Sequence, residues 1–289
     1  MALHFGTEAW LAALFGLVIG SFLNVVIWRL PRMLELQWAA EGAQAADALA
    51  APSGLPLPAR LSLSTPGSHC PHCGHGIRWR HNIPVLSYLA LRGRCADCHA
   101  GISLRYPLVE LATAAWFAFC IAYWGASPMA LAYCAWGATL LTLALIDWDT
   151  TLLPDCLTLP LLGAGLLASA LHGIPVSLAD AAWGAAGGYL SLWLVYWVFK
   201  LATGKEGMGY GDFKLFAALG AWLGWQALVP TILIASVFGL IAGLVMQITS
   251  GLREGGYIPF GPFLAGAGCA ALVWGPDRVL DSLFAFAGM

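Results

Sequence analysis

Long apolar stretches without charged residues recur along most of the chain. Each is long enough, at 1.5 Å per residue, to cross about 30 Å of hydrocarbon with some tilt or shortening. Leu215–Ser250 is too long for one crossing, because its 36 residues contain no Asp, Glu, Lys or Arg. Pro230 lies near its middle and predicts a turn between two helices. The pattern therefore predicts eight transmembrane helices, in Ala9–Trp28, Leu111–Met129, Pro128–Ile146, Cys156–Leu171, Ala181–Phe199, the two halves of Leu215–Ser250, and Tyr257–Gly275.

Composition and charge agree with an all-α polytopic membrane protein. The 289 residues are 60% hydrophobic and 10% charged, with a mean hydropathy of +0.77, which excludes an ordinary soluble globule. Eight of the thirteen Lys and Arg residues lie between Arg29 and Arg105. The positive-inside rule therefore places that segment in the cytoplasm and both termini outside. The first apolar stretch lacks a basic n-region and an A-x-A-like site, so we expect it to be a retained helix.

These boundaries predict four parts of the chain. Residues 1–28 form the first transmembrane helix, and residues 29–106 form a cytosolic loop. The first half of this loop includes the Ala- and Pro-rich segment 41–60, which we expect to be a loose connection. Residues 107–275 form a seven-helix membrane core, and residues 276–289 form an exterior tail.

Four cysteines in the cytosolic loop indicate a metal site within a small module, residues 69–105. "CPHC" (Cys70, Cys73) and "CADC" (Cys95, Cys98) are two C-x-x-C pairs at a spacing typical of a tetrahedral zinc site. A reducing cytosol favours zinc over a disulfide, with thiol redox chemistry as the alternative. The nearby histidines are expected to be exposed, because four thiolates saturate the ion. The other cysteines, Cys120, Cys134, Cys156 and Cys269, are expected to be small buried hydrophobic residues.

Four aspartates lie at the borders of apolar stretches, where a carboxylate is costly and indicates function. Asp155 follows Pro154 at the start of a stretch and is expected to cap a helix. Asp149 is either functional or an ordinary solvated residue. Asp147 follows an uncharged helix and has no cap to make at that end. Asp212 could cap a helix beginning near Phe213, but the glycines before it, Gly207, Gly209 and Gly211, would let the backbone approach something closely, such as a substrate strand.

The predicted topology puts Asp147 or Asp149 at the same membrane face as Asp212. Two carboxylates a few Å apart share a proton, so one can activate a water while the other donates to a carbonyl. The residues thus favour an aspartic protease, and the chain contains no H-E-x-x-H, G-x-S-x-G or P-loop motif. A proton-relaying transporter is an alternative, but we find no matching broken helices in the two halves. A zinc-loop scaffold would leave the aspartates unexplained.

Several segments, in order along most of the chain, resemble the type IV prepilin peptidases. They are "GSFLNVVIWRLP" (20–31), "CPHC" with "CADC", "ISLRYPLVELAT" (102–113), "LTLALIDWDTTLLPDCLTLPLLGAGLL" (141–167) and "GKEGMGYGDFKLFAALGAW" (204–222). The resemblance implies a catalytic pair of Asp147 and Asp212, with "GYGD" as the family's glycine-x-glycine-aspartate signature. Relatives carry a Pro seven residues after the first catalytic aspartate, and Pro154 stands at that distance from Asp147. Asp149 then becomes a neighbour that tunes the pair.

The resemblance also implies a bifunctional enzyme in the bacterial inner membrane. Such enzymes cleave the leader of prepilins and type II secretion pseudopilins after a Gly, on the cytoplasmic face. They then methylate the new N-terminal residue, usually Phe, from S-adenosylmethionine. No dinucleotide-type glycine motif follows a strand pattern to mark the cofactor site, and Gly93 in "LRGRC" is a candidate that could equally be a turn glycine. The four-cysteine loop argues against a peptidase that lacks methylation. Partners are the pilin substrates and the lipid bilayer, with no nucleic acid expected.

Overall fold

The computed structural model describes residues 6–47, 61–249 and 258–278, together with residues 281 and 285. Over these ranges the chain forms α-helices, and pairing of extended segments is limited to two isolated bridges. The all-α class is confirmed. The helices are α1 (Thr7–Asp47), α2 (Leu86–Ala90), α3 (Arg105–Trp124), α4 (Pro128–Thr150), α5 (Asp155–Ala170), α6 (Leu178–Thr203), α7 (Tyr210–Leu223), α8 (Leu228–Thr249) and α9 (Gly261–Trp274).

Several of these helices suit a lipid bilayer. In the described part of the chain, five of them, α1, α3, α4, α6 and α8, are long and apolar enough to cross a membrane. Two more, α5 and α9, are apolar but shorter, and α7 has 14 residues. The chain is thus a multi-pass membrane protein, and the total of eight crossings stays a prediction.

The first helix is longer than its apolar stretch. It continues past Trp28 and through Pro31 to Asp47, so the beginning of the predicted polar loop is helical. One proline removes a single backbone hydrogen bond, whereas the Leu, Glu, Gln and Ala residues that follow are strong helix formers. Part of the segment expected to be loose, residues 41–47, therefore belongs to α1. The rest of that segment, residues 48–60, lies outside the described residues.

The break in the longest apolar stretch was predicted at the wrong residue. Helix α7 ends at Leu223, Gly224 has a φ of +83°, and α8 begins at Leu228 after one 3₁₀ turn. Pro230 lies in the first turn of α8, where a missing N–H costs nothing because the helix cannot use it. Gly224 ends the helix because only glycine adopts this backbone conformation without strain.

The chain divides into two compact units, Met1–Cys134 and Ala135–Met289. The boundaries predicted from membrane topology, at residues 28, 106 and 275, stay a prediction. In the first unit α1 packs along α3, and glycines allow a close approach: a Cβ on Gly16 would lie 2.7 Å from Ala114 Cα, and one on Gly20 would lie 2.6 Å from Glu110 Cα. Close packing of this kind replaces the hydrophobic effect as the force that joins helices in lipid.

In the second unit α7 is the central helix. It packs against α5, α6 and α9, and nearly all of its side chains from Asp212 to Trp222 are buried. A helix that is buried on all sides needs an apolar sequence, which is why α7 carries no charged residue after Lys214. Gly188 of α6 lets the two backbones approach, because a Cβ there would lie 2.7 Å from Phe216 O. The fold thereby holds Asp212 at the start of its most enclosed helix.

Candidate active site

Asp147 lies in the last turn of α4 and is 4% exposed. Its Oδ2 accepts a hydrogen bond from the main-chain N–H of Gly261, at 2.8 Å and away from solvent. No cap was expected for Asp147 at the end of its own helix, and this bond leads to another one: the carboxylate accepts from the first residue of α9, 114 positions further along the chain.

Asp212 is the third residue of α7 and is 7% exposed. The residue before the helix is Gly209, and the main-chain N–H of Asp212 bonds to its carbonyl at 3.2 Å. Asp212 is thus inside the helix and does not cap it. Its Oδ1 is buried and has no hydrogen-bond partner among the described residues. A buried polar atom left in this state is costly, and a catalytic role is one recognised reason for such an atom.

Asp147 and Asp212 are both buried in the second unit, one in the last turn of α4 and the other in the first turn of α7. Two buried carboxylates that repel each other are most stable when they hold one proton between them. An arrangement of this kind can supply a base and an acid at the same moment, which is what hydrolysis of a peptide bond requires.

The other two aspartates lie in different surroundings. Asp149 is exposed at the end of α4. Asp155 is the first residue of α5 and does not cap it, so that expectation was wrong. Its two carboxylate oxygens instead accept hydrogen bonds from Lys214 Nζ, at 2.6 and 2.7 Å. This ion pair joins the start of α5 to α7, two residues beyond Asp212.

The glycines before Asp212 have different surroundings. A Cβ on Gly211 would lie 2.7 Å from Leu153 Cβ, and a Cβ on Gly207 would lie 2.8 Å from the Phe199 ring. These two glycines therefore admit close packing of the protein's own chain. Gly209 is exposed, and the nearest atom to a Cβ there would be Asp212 Oδ2 at 3.7 Å, which is ordinary contact.

Gly261 is the residue of this site that sequence reasoning missed. A Cβ at this position would lie only 2.7 Å from Asp147 Oδ2, so a glycine is needed for the carboxylate to come so close. The available signal was "PFGP" (259–262), a glycine between two prolines at the start of an apolar stretch.

The two C-x-x-C pairs form two turns of the same construction. Cys70 N donates to His75 O and Gly74 N to Cys70 O, and in the second turn Cys95 N donates to Ala100 O and His99 N to Cys95 O. Each turn is closed by one bridge, His69 with Gly76 and Arg94 with Gly101. Gly74 and His99 occupy equivalent positions, with φ of +70° and +57°.

The four cysteine sulfurs converge as a zinc site requires. They lie within 4.8 Å of one another, and Cys70 Sγ is 3.8 Å from Cys98 Sγ. Four sulfurs about 2.3 Å from a tetrahedral zinc would be about 3.8 Å apart, so the residues fit the ion. The main-chain N–H groups of Cys73 and then His72 lower the pKa of Cys70 to about 6, which favours the thiolate that binds metal. The module's histidines are exposed, except that His81 is partly buried.

Gly93 follows α2 in a turn of this module. Its φ is +68°, its N–H donates to Tyr88 O at 2.9 Å, and a Cβ would lie 2.8 Å from the Tyr88 hydroxyl. These features account for a glycine without any cofactor. Nearby, the N–H of Val85 donates to the buried Glu110 of α3 at 2.7 Å, which ties the module to that helix.

The remaining cysteines agree only in part with expectation. Cys120 and Cys134 are buried, as predicted, and Cys269 is partly buried. Cys156 is exposed on the surface of α5, so the prediction was wrong there.

Comparison with known proteins covers both units. A model of the bacterial peptidase A24 N-terminal domain matches residues 14–124, and a model of the type IV leader peptidase family matches residues 134–244. No solved structure matches the chain significantly.

Curated relatives named prepilin leader peptidase/N-methyltransferase are similar over nearly the whole chain. The protein from Stutzerimonas stutzeri is 51% identical over 276 residues, covering 96% of this chain and 93% of the relative. That from Pseudomonas aeruginosa is 52% identical over 278 residues, covering 95% and 93%. That from Aeromonas hydrophila is 52% identical over 270 residues, covering 92% and 90%.

Proposed function

Because this chain belongs to the type IV leader peptidase family, we propose that it is a bifunctional membrane enzyme. It removes the leader of type IV prepilins and type II secretion pseudopilins after a Gly, and it methylates the new N-terminal residue, usually Phe. The observation that carries the proposal is the buried pair of Asp147 and Asp212, held at the end of α4 and the start of α7.

In the proposed proteolytic step the two aspartates share one proton. The ionised member takes a proton from a water, whose oxygen attacks the scissile carbonyl carbon, and the protonated member donates to the carbonyl oxygen. Burial supports this step, because nearby groups in a water-poor site strongly stabilise the charge that develops on the carbonyl oxygen. Asp149 is exposed and is assigned no proton transfer.

We place the pair at the cytoplasmic face of the bacterial inner membrane. Lys200, Lys205 and Lys214 surround the α6–α7 connection, and cytoplasmic loops carry such an excess of basic residues. A prepilin is itself a membrane helix whose basic leader remains in the cytosol. The bond to be cut would then lie at the level of the two helix ends that carry the aspartates.

The four cysteines are proposed to hold a structural zinc. Four thiolates close the coordination sphere and leave no position for a catalytic water, so the ion would hold the module together and take no part in hydrolysis. Bound S-adenosylmethionine would supply the methyl group. No residue is assigned to that cofactor, since the turn geometry already explains Gly93.

The test separates the two activities. Membranes that contain wild type, Asp147→Asn, Asp149→Asn or Asp212→Asn are incubated with a prepilin and a labelled methyl donor, and leader loss and label transfer are scored separately. We expect cleavage to disappear in the 147 and 212 variants and to persist in the 149 variant. A pilin whose leader is already removed should still be methylated by every variant. Cleavage by all three would refute the protease assignment and favour a transporter or a scaffold.

A further inference from the structure

The first turn of α9 leaves one main-chain N–H group without a partner inside the helix, and Asp147 accepts a hydrogen bond from it. The N–H groups of Phe263 and Leu264 both bond to Phe260 O, and Pro262 has no N–H. The remaining donor at the start of the helix is the amide of Gly261, which bonds to Asp147 Oδ2. N–H groups that have no partner within their own helix carry the positive end of the helix dipole.

The fit between Gly261 and Asp147 is close. Both partners are buried, and a Cβ on Gly261 would lie 2.7 Å from Oδ2 and 3.2 Å from Cγ of Asp147. Any other residue would push the carboxylate away or move α9. Gly261 lies beyond residues 134–244, to which the family model extends.

We propose that the main-chain amide of Gly261 is a positioning donor for proteolysis, which keeps Asp147 as the ionised member of the pair and leaves the shared proton on Asp212. The proposal rests on the proposed peptidase function. An amide N–H can only donate, and its bond to an ionised oxygen is about twice as strong as a bond to a neutral one. Among the described residues Asp212 has no such donor on Oδ1, and a buried charge without partners is costly, so the neutral form suits that position.

This assignment gives each aspartate a direction of proton transfer. Asp147 takes a proton from water as the water oxygen bonds to the carbonyl carbon, and Asp212 gives its proton to the carbonyl oxygen. When the carbon–nitrogen bond breaks, the proton on Asp147 moves to the leaving nitrogen and a hydroxyl of the intermediate returns one to Asp212. The pair ends as it began, with one proton on Asp212.

A matched pair of substitutions in α9 tests the role of Gly261. Gly261→Ala introduces the clashing methyl group, whereas Gly266→Ala adds a methyl group to the same helix where nothing lies within 4 Å. The rate constant kcat and KM for leader cleavage are measured on the purified full chain. Displacing a catalytic group by about 1 Å costs about 100-fold, so Gly261→Ala should lower kcat by about that factor and leave KM unchanged. Gly266→Ala should match wild type.

The outcomes distinguish this inference from the proposed function. Normal kcat in Gly261→Ala, or a raised KM alone, would overturn the positioning role even if Asp147→Asn is inactive. Cleavage by Asp147→Asn would instead overturn the peptidase assignment itself. Methylation of a pilin without its leader serves as the control for folding, because it should be equal in both glycine variants.

A second measurement covers the case in which Gly261→Ala does not fold. Infrared spectra of wild type, Asp147→Asn and Asp212→Asn are compared at the carbonyl band of a protonated carboxylic acid. We expect that band to persist in Asp147→Asn and to disappear in Asp212→Asn. The reverse pattern, or equal loss in both variants, would show that the proton is not held on Asp212.

Discussion

The two glycines of the "GYGD" signature should respond differently to the same substitution. Gly211 faces Leu153, in the turn between α4 and α5, and its added Cβ would lie 2.7 Å from Leu153 Cβ. Gly209 has no atom nearer than 3.7 Å to such a Cβ, and its φ of −81° is open to any residue. We therefore expect Gly211→Ala to impair leader cleavage far more than Gly209→Ala.

The expected size follows from the contact distance. Carbon atoms pack at about 3.5–4.0 Å, so Gly211→Ala must separate α7 from Leu153 by about 1 Å. Overpacking of this kind costs about 1–3 kcal/mol, of which a better helix former returns about 1 kcal/mol. The net loss of stability is small, but Asp212 is the next residue. A shift of about 1 Å at a catalytic group lowers the rate by about 100-fold.

The assay compares both variants in leader cleavage and in unfolding in detergent micelles. Gly209→Ala should retain cleavage within about a few-fold, since alanine at the residue before a helix costs at most about 1 kcal/mol. Replacing Leu153 by Ala would leave the clashing Cβ in place, whereas Leu153→Gly would remove it. Gly211→Ala should thus be less harmful in the Leu153→Gly background. Equal losses in the Gly209 and Gly211 variants at equal stability would refute the steric argument.

Three further perturbations have expected outcomes. Asp147→Asn keeps an acceptor for the Gly261 amide, whereas Asp147→Ala leaves it buried and unpaired, so the alanine variant should lose about 1–3 kcal/mol more than the asparagine variant in unfolding experiments. Purified wild type should contain one zinc per chain by metal analysis, and Cys70→Ser should lower the zinc content and reduce methylation or protein level; wild type without zinc would contradict the assignment. Asp155→Asn removes an ion pair whose side chains are 57% and 27% exposed, so it should cost no more than about 1 kcal/mol, and less at high salt; a larger loss would give this pair a structural role that its exposure does not predict.

Local patterns were sufficient for much of the fold and for part of the site. An apolar run predicts a helix because the hydrocarbon core requires every backbone group to be bonded within the segment. The C-x-x-C spacing predicts a metal site because its ligands are neighbours in sequence. The aspartates indicate function because charge is costly in such surroundings.

Errors occurred where one local signal competed with another, or with a partner distant in the chain. Pro230 interrupts an apolar run and so predicts the end of a helix, yet a proline is equally suited to the first turn of one, and Gly224 made the break. Asp155 begins a helix and so predicts a cap. Its partner, Lys214, is 59 residues away, and no sequence pattern indicates that the two residues form a pair.

The sequence by itself determined the helical class, the membrane environment, the four-cysteine cluster and the aspartates that could form a pair, because each follows from composition or from residues close together in the chain. Only the tertiary structure decided that Asp147 meets the amide of Gly261, that Gly211 is a contact with Leu153, and that Asp212 Oδ1 is buried without a partner in the described chain. Those contacts join segments up to 114 residues apart. A hydrogen bond or a steric clash depends on tenths of an ångström, which the packing of whole helices sets and no local pattern records.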